Sequence, residues 1–259
     1  MNTPLHLIHR PRRLGLGFVA TALALGAGAA SAQDKGQLNL LCSTELEWCA
    51  LMAQAFEKDS GVKVAMVRKS TGEVLAQLNA ERANPKTDVW FGGTGDPHLQ
   101  ADEQDLTLVY RSPLLPKLHP WAQKMAQAAA YKSVAVYLGP LGLAYNPEVL
   151  ARKKLPVPKC WKDLTRPEYK GEGQNSNPNS SGTAYTAIAT WVQLFGEEAA
   201  FDFMKALHRN ISEYTRSGAG PVKNTGRGEN GVAIGFLALA AGEARQGLPV
   251  KTLVPCEGT

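Results

Sequence analysis

Ser180, Ser181 and Thr183 surround Gly182 in the run Asn177-Pro178-Asn179-Ser180-Ser181-Gly182-Thr183-Ala184-Tyr185-Thr186. Turn formers and hydroxyl residues pass there without a break into 187–195, which reads as a helix. The start of a helix leaves backbone N–H groups unpaired, and the helix dipole puts partial positive charge at the same end. The three hydroxyls add donors, and Gly182 lets a ligand approach the backbone closely. Such a segment is a receptor for a small anion, built without catalytic groups. Taken alone it reads first as an ordinary helix cap, which Ser and Asn also make. The anion reading gains weight because similar small polar runs recur at Ser43-Thr44, Ser70-Thr71-Gly72, Gly92-Gly93-Thr94-Gly95-Asp96 and Ser217-Gly218-Ala219-Gly220.

Other chemistries fit the residues less well. The sequence has no G-x-S-x-G, H-E-x-x-H or G-x-x-x-x-G-K-[ST] pattern. Asp88 and Asp96 can be drawn as a carboxylate pair for hydrolysis of a phosphoester, but Asp88 reads better as the end of a loop before a strand. Ferric iron asks for hard anionic oxygens, typically paired tyrosines. Tyr185 and Tyr214 are not adjacent, so iron ranks second to a phosphate ester, phosphonate or carboxylate. His98 reads as a surface or capping residue. Arg216 and Lys223 are candidates to supply charge, and otherwise solvated side chains. No cofactor is implied, and no metal site.

The elements that must position these residues follow from periodicity. Strands are expected at 37–41, 62–67 and 88–91, with helices over 45–58 and 71–83. The first helix would turn Leu46, Cys49, Ala50, Ala53 and Phe56 inward, and the second Val74, Leu75 and Leu78. This βαβαβ order predicts an α/β fold with a parallel sheet. Each strand ends in small polar residues, at the edge where open parallel sheets bind ligands. A strand over 134–138, interrupted by Gly139-Pro140-Leu141-Gly142 and continued by Leu143-Ala144-Tyr145, would cross into a second domain. Beyond it a short helix at 147–151, a packed loop with Trp161, Leu164, Pro167 and Tyr169, a helix over 197–207, and strands at 232–236 and 250–254 are expected.

At the N-terminus, Arg10, Arg12 and Arg13 precede a Gly/Ala-rich apolar stretch over 14–29 and the small-x-small site Ala30-Ser31-Ala32. This is the pattern of a secretory leader cleaved after Ala32. The chain carries 28 basic and 23 acidic side chains. Three of the arginines lie in the leader, so the remainder is close to neutral and gives no argument for nucleic acid. Four cysteines in an exported chain favour disulfides. Cys42 and Cys49 are near enough for a local bridge, which leaves Cys160 with Cys256. Zinc is the competing reading, but there is no C-x-x-C and no His near the cysteines.

With these motifs in order, the chain resembles the periplasmic solute-binding proteins of bacterial ABC importers, the two-lobe type with iron- and phosphonate-binding members. The resemblance covers essentially all of 33–259. Its carriers are Ser70-Thr71-Gly72, Asp88-Val89-Trp90-Phe91-Gly92-Gly93, Leu143-Ala144-Tyr145-Asn146-Pro147, Trp161-Lys162-Asp163-Leu164 with Pro167-Glu168-Tyr169-Lys170-Gly171, Asn177 to Thr183, and Cys256-Glu257-Gly258-Thr259. It implies two α/β lobes with parallel-rich sheets joined by two crossing strands, the first over 33–139 and the second over 140–254. Residues 255–259 would be a return crossing cut short, leaving the first lobe incomplete. The implied ligand set is Ser43, Thr44, Ser70, Thr71, Gly93 and Thr94 facing Ser180, Ser181, Gly182, Thr183, Tyr185, Ser217 and Gly218. The implied function is capture of a small anionic solute by cleft closure, without enzymatic chemistry, by a periplasmic monomer that delivers to a membrane permease. Ferric-iron binding, phosphoester hydrolysis and a non-binding remnant are the alternatives. Relatives often carry a His-Asp pair near Ala238 and Leu239, where this chain is apolar.

Overall fold

The computed structural model describes residues 36–259; the leader and its cleavage position lie outside them. Two sheets organise these residues. In the first, β1 (Gln37–Cys42) lies between β2 (Lys63–Arg68) and β3 (Val89–Phe91), all parallel. Helices α1 (Leu46–Ser60), α2 (Thr71–Glu81) and α3 (Gly95–Glu103) follow the three strands in turn. Gly61 ends α1 at φ 74° and returns its N–H to the Glu57 carbonyl, a left-handed stop that suits glycine. The Glu73 carboxylate accepts the Ser70 N–H at 3.0 Å and fixes the start of α2. Helix α4 (Pro120–Ala128) then leads towards the second sheet.

That sheet has the order β6-β5-β7-β4-β8, from β4 (Leu141–Tyr145), β5 (Gly173–Ser176), β6 (Ile211–Thr215), β7 (Val232–Phe236) and β8 (Lys251–Leu253). β5 runs parallel to β6 and β7, and β4 antiparallel to β7 and β8. Its helices are α5 (Pro147–Arg152), α6 (Gly182–Phe195), α7 (Glu197–His208), α8 (Gly220–Arg227) and α9 (Leu237–Arg245). Asn146 opens α5, its side chain accepting the Glu148 and Val149 N–H groups at 3.0 and 3.1 Å. The larger core lies here. Trp161, Tyr169 and Trp191 are buried with Leu143, Leu164 and Ile234, and Trp191 meets Trp161 and Phe203 edge-on at 5.6 and 5.1 Å. Two short 3-10 turns carry Trp161 and Tyr169.

Several expectations need correction. Residues 134–138 form no strand, because the ladder partners β7 and β8 stand opposite Leu141–Tyr145 instead. Gly142 sits inside that ladder; a Cβ there would lie 2.6 Å from the Leu253 carbonyl oxygen. On α1 only Cys49 is buried, while Leu46 and Phe56 are 56% and 44% exposed. The apolar repeat is present, but the described residues cover only the stretch around the Cys42–Cys49 bridge. Both expected disulfides are formed, so none of the four sulfurs is left as a thiolate for zinc.

Candidate functional site

The three β–α connections of the first sheet meet along its C-terminal edge. After β1, the Ser43 hydroxyl accepts the Trp90 indole N–H at 2.9 Å. After β2, Ser70 caps α2 and Thr71 is buried. After β3 the chain turns through Gly92 and Gly93 at φ 78° and 95°. Tyr137 holds this turn, its hydroxyl lying 2.5 Å from the Gly93 nitrogen and 3.1 Å from its carbonyl oxygen. A Cβ at Gly93 would come within 2.0 Å of the Thr71 methyl, so only glycine fits. Thr94 precedes α3 but makes no capping bond through its side chain. Its Oγ1 is buried without a hydrogen-bond partner among the described residues.

Facing this edge are the connections after β5 and β6. The Asn177 carbonyl accepts the Ser180 and Ser181 N–H groups at 3.2 and 2.9 Å. Ser181 is buried and shares a 3.0 Å hydroxyl pair with Ser176. Gly182 begins α6. Gly218 lies against the same turn; a Cβ on it would be 2.3 Å from Thr183 Oγ1 and 2.8 Å from Ser181 Oγ.

The two edges touch. Gly182 N–H donates to Thr71 Oγ1 at 2.9 Å, and Gly72 N–H to the Ser180 carbonyl at 3.1 Å. A Cβ on Gly182 would lie 2.0 Å from Thr94 Oγ1. The N-termini of α2, α3 and α6 therefore converge on one group of hydroxyls. Their dipoles put partial positive charge there from three directions, and a buried hydroxyl without a partner is a group awaiting one. Such a place suits an oxyanion. At the rim, Ser70 and Ser180 point their hydroxyls at the Arg216 carbonyl. Arg216 pairs with Glu73, and Lys223 with Glu45 at 3.0 Å.

The family model of the bacterial extracellular solute-binding proteins matches residues 96–259, more than half of the chain. The chain belongs to this family. An uncharacterized protein of Haemophilus influenzae is 46% identical over 245 residues, covering 93% of this chain and 70% of its own length. The periplasmic binding protein AfuA of Actinobacillus pleuropneumoniae, solved with fructose-6-phosphate bound, is 48% identical. It superposes with a TM-score of 0.84 over 87% of this chain and 71% of its own. The Fe(3+)-binding periplasmic protein of Serratia marcescens is 28% identical over 85% of the chain and 62% of that protein.

In this solute-binding protein, the structure gathers Ser43, Thr44, Ser70, Thr71, Gly93, Thr94, Ser180, Ser181, Gly182, Thr183, Ser217 and Gly218 around the junction of the two edges. Tyr185 is different. It is 42% exposed, and its hydroxyl makes no hydrogen bond to that group. Arg216 and Lys223, candidates for either role, are ion-paired, Arg216 at a solvated position and Lys223 at a partly buried one. His98 is half-buried; its ring stacks on Trp90 at a centroid distance of 3.7 Å, and Nε2 lies 3.0 Å from the Gly92 carbonyl oxygen. Burial holds its pKa below the ordinary value, opposed by the Gly92 contact and the charge of Asp102. Sequence reading missed Arg68 and Tyr137. Arg68 directly precedes Lys69 and Ser70 at the carboxyl end of a strand, the end where open parallel sheets bind ligands, which was a usable signal. Tyr137 sits 44 residues from Gly93 and gave none. Its ring meets Trp48 of α1 edge-on at 5.8 Å.

Proposed function

We propose that this chain captures a small organic solute bearing a phosphate, phosphonate or carboxylate group, and delivers it to the permease of an ABC importer. Two lobes, 33–139 and 140–254, close over the solute. The site is formed by the residues that meet between them, with Tyr185 at its margin. The observation that carries this reading is the convergence of three helix N-termini on hydroxyls, with Thr94 Oγ1 left unpaired. Fructose-6-phosphate in AfuA supports a phosphate ester. Ferric iron fits less well, because N–H groups and hydroxyls are donors to an anion rather than anionic ligands to a cation. The Tyr214 ring, for its part, stacks against His208. The chain performs no covalent chemistry. It works in the periplasm as a monomer, after removal of a leader ending at Ala32.

Thr94→Val tests this reading. Valine keeps the shape and removes the hydroxyl. Since the hydroxyl caps nothing, the melt of the ligand-free protein should stay within about 0.5 kcal/mol of wild type. Calorimetric titration with fructose-6-phosphate should show affinity reduced about tenfold. Wild-type protein that binds neither this ester, nor a phosphonate, nor a dicarboxylate would end the proposal.

A further inference from the structure

Arg68 is the last residue of β2 and shares the half-buried face of that strand with Val64 and Met66. Its guanidinium therefore emerges at the edge where the connections meet. Nε donates to the Thr44 carbonyl at 3.2 Å, and Nη2 to the Ser217 hydroxyl at 3.3 Å. Both acceptors are neutral, and both distances are at the long end for an N–H donor. A guanidinium carries five N–H donors, so most are unused. The other cations of the rim are neutralised: Arg216 by Glu73 and Lys223 by Glu45. Lys69 is held by the Gln77 side chain at 2.6 Å. Among the described residues no carboxylate pairs with Arg68. A half-buried charge without a counter-ion is costly unless something else supplies one.

Its acceptors place it in the proposed site. Thr44 borders the Gly92 turn, where a Cβ would lie 3.1 Å from the Thr44 side chain. Ser217 is followed by Gly218, which is packed on Thr183 and Ser181. Arg68 thus spans from one edge to the other beside the converging helices. Helix N-termini offer fractional charge, enough for a singly charged group. A full positive charge beside them favours a second negative charge, and a planar fork matches two oxygens of a tetrahedral head group.

We infer that Arg68 is a specificity-determining residue that selects a doubly charged phosphoryl head group, of a phosphate monoester or a phosphonate, over singly charged anions. This deepens the functional reading above and rests on it.

The experiment compares a hexose 6-phosphate with the matching hexose 6-sulfate, which has the same shape but one charge. At pH 8 the wild-type protein prefers the phosphate. Arg68→Gln lowers that preference by about tenfold or more, and Arg68→Lys retains part of it. Equal loss for both esters would mean that Arg68 only bridges the two edges, and overturns the inference while leaving the functional reading standing. Unchanged affinity for the phosphate ester overturns it too. Wild-type protein that binds neither ester overturns the inference, and if it binds no phosphonate or dicarboxylate either the functional reading falls with it. If Arg68→Gln does not fold, the pH profile of the wild type decides. A phosphate monoester gains its second charge near pH 6, so its affinity relative to the sulfate should rise severalfold from pH 5 to pH 8. Protonation of His98 towards low pH favours the more highly charged ester and so opposes this rise rather than producing it. A flat ratio overturns the inference.

Discussion

His98 lies between Trp90 and the carbonyl of Gly92, so its protonation is felt at the glycine turn. Desolvation favours the neutral ring in the folded protein, and its pKa falls below the ordinary value near 6.5. The unfolded chain then takes up this proton first as the pH drops. Stability is fully present above about pH 6.5 and declines below it. Asp163 acts in a different window. The Lys159 N–H, at 2.7 Å, holds its pKa down, and burial opposes that. Its contribution is therefore present above its ordinary range and lost only in stronger acid. Between pH 7.5 and 5.5, the melting temperature should fall in wild type and fall less in His98→Phe, where an aromatic ring still covers Trp90. Scanning calorimetry would give the same slope for both proteins if the ring is not the group concerned.

Where α2 and α6 begin, the two helices approach with only threonine side chains between them, since Gly182 offers none. Alanine at Gly182 is favourable for the helix itself, by about 1 kcal/mol, yet its methyl would collide with Thr94 and Thr71. Gly182→Ala should therefore lower the thermal melt of the free protein and weaken titrated fructose-6-phosphate at least tenfold. Full affinity in that variant would show that this contact is not made when ligand binds. How far such elements are legible depends on how they are buried. The βαβαβ order and α6 show through their periodicity. β5 does not, because Gly-Gln-Asn-Ser looks like a turn. It is nevertheless buried in mid-sheet, its polar groups satisfied by Asn224 at 2.9 Å and by the Ser176–Ser181 pair. β6, α3, α4 and α9 likewise escaped the reading. α9 follows a strand directly, so one apolar run serves two elements. The hydroxyl connections were readable because small polar residues at strand ends have few other uses. Tyr137 was not, since its role depends on chain brought together from far away, and Arg68 was marked only by its place at the end of a strand.

Across the whole molecule, the acidic partners of the rim lie on the first sheet's side, at Glu45 and Glu73. Their basic partners lie on the second, at Arg216 and Lys223. If lobe closure forms these pairs, Glu45→Lys should lower solute affinity severalfold, and adding Lys223→Glu should restore it. Surface pairs contribute about 0–1 kcal/mol and are screened by salt, so both effects should fade in 0.5 M NaCl. No rescue by the double variant would mean that the pair is incidental to closure. The two disulfides also differ in reach, with a sequence separation of 7 for Cys42–Cys49 and 96 for Cys160–Cys256. During export the first can oxidise as soon as one turn of α1 has emerged. The second must wait until β5, β6, β7 and β8 have all followed Cys160 across the membrane. For that interval Cys160 is an open thiol, and the partners already across are Cys42 and Cys49. Correct pairing then depends on the early bridge closing first, so the timing of oxidation, as well as its extent, governs how much native protein is made.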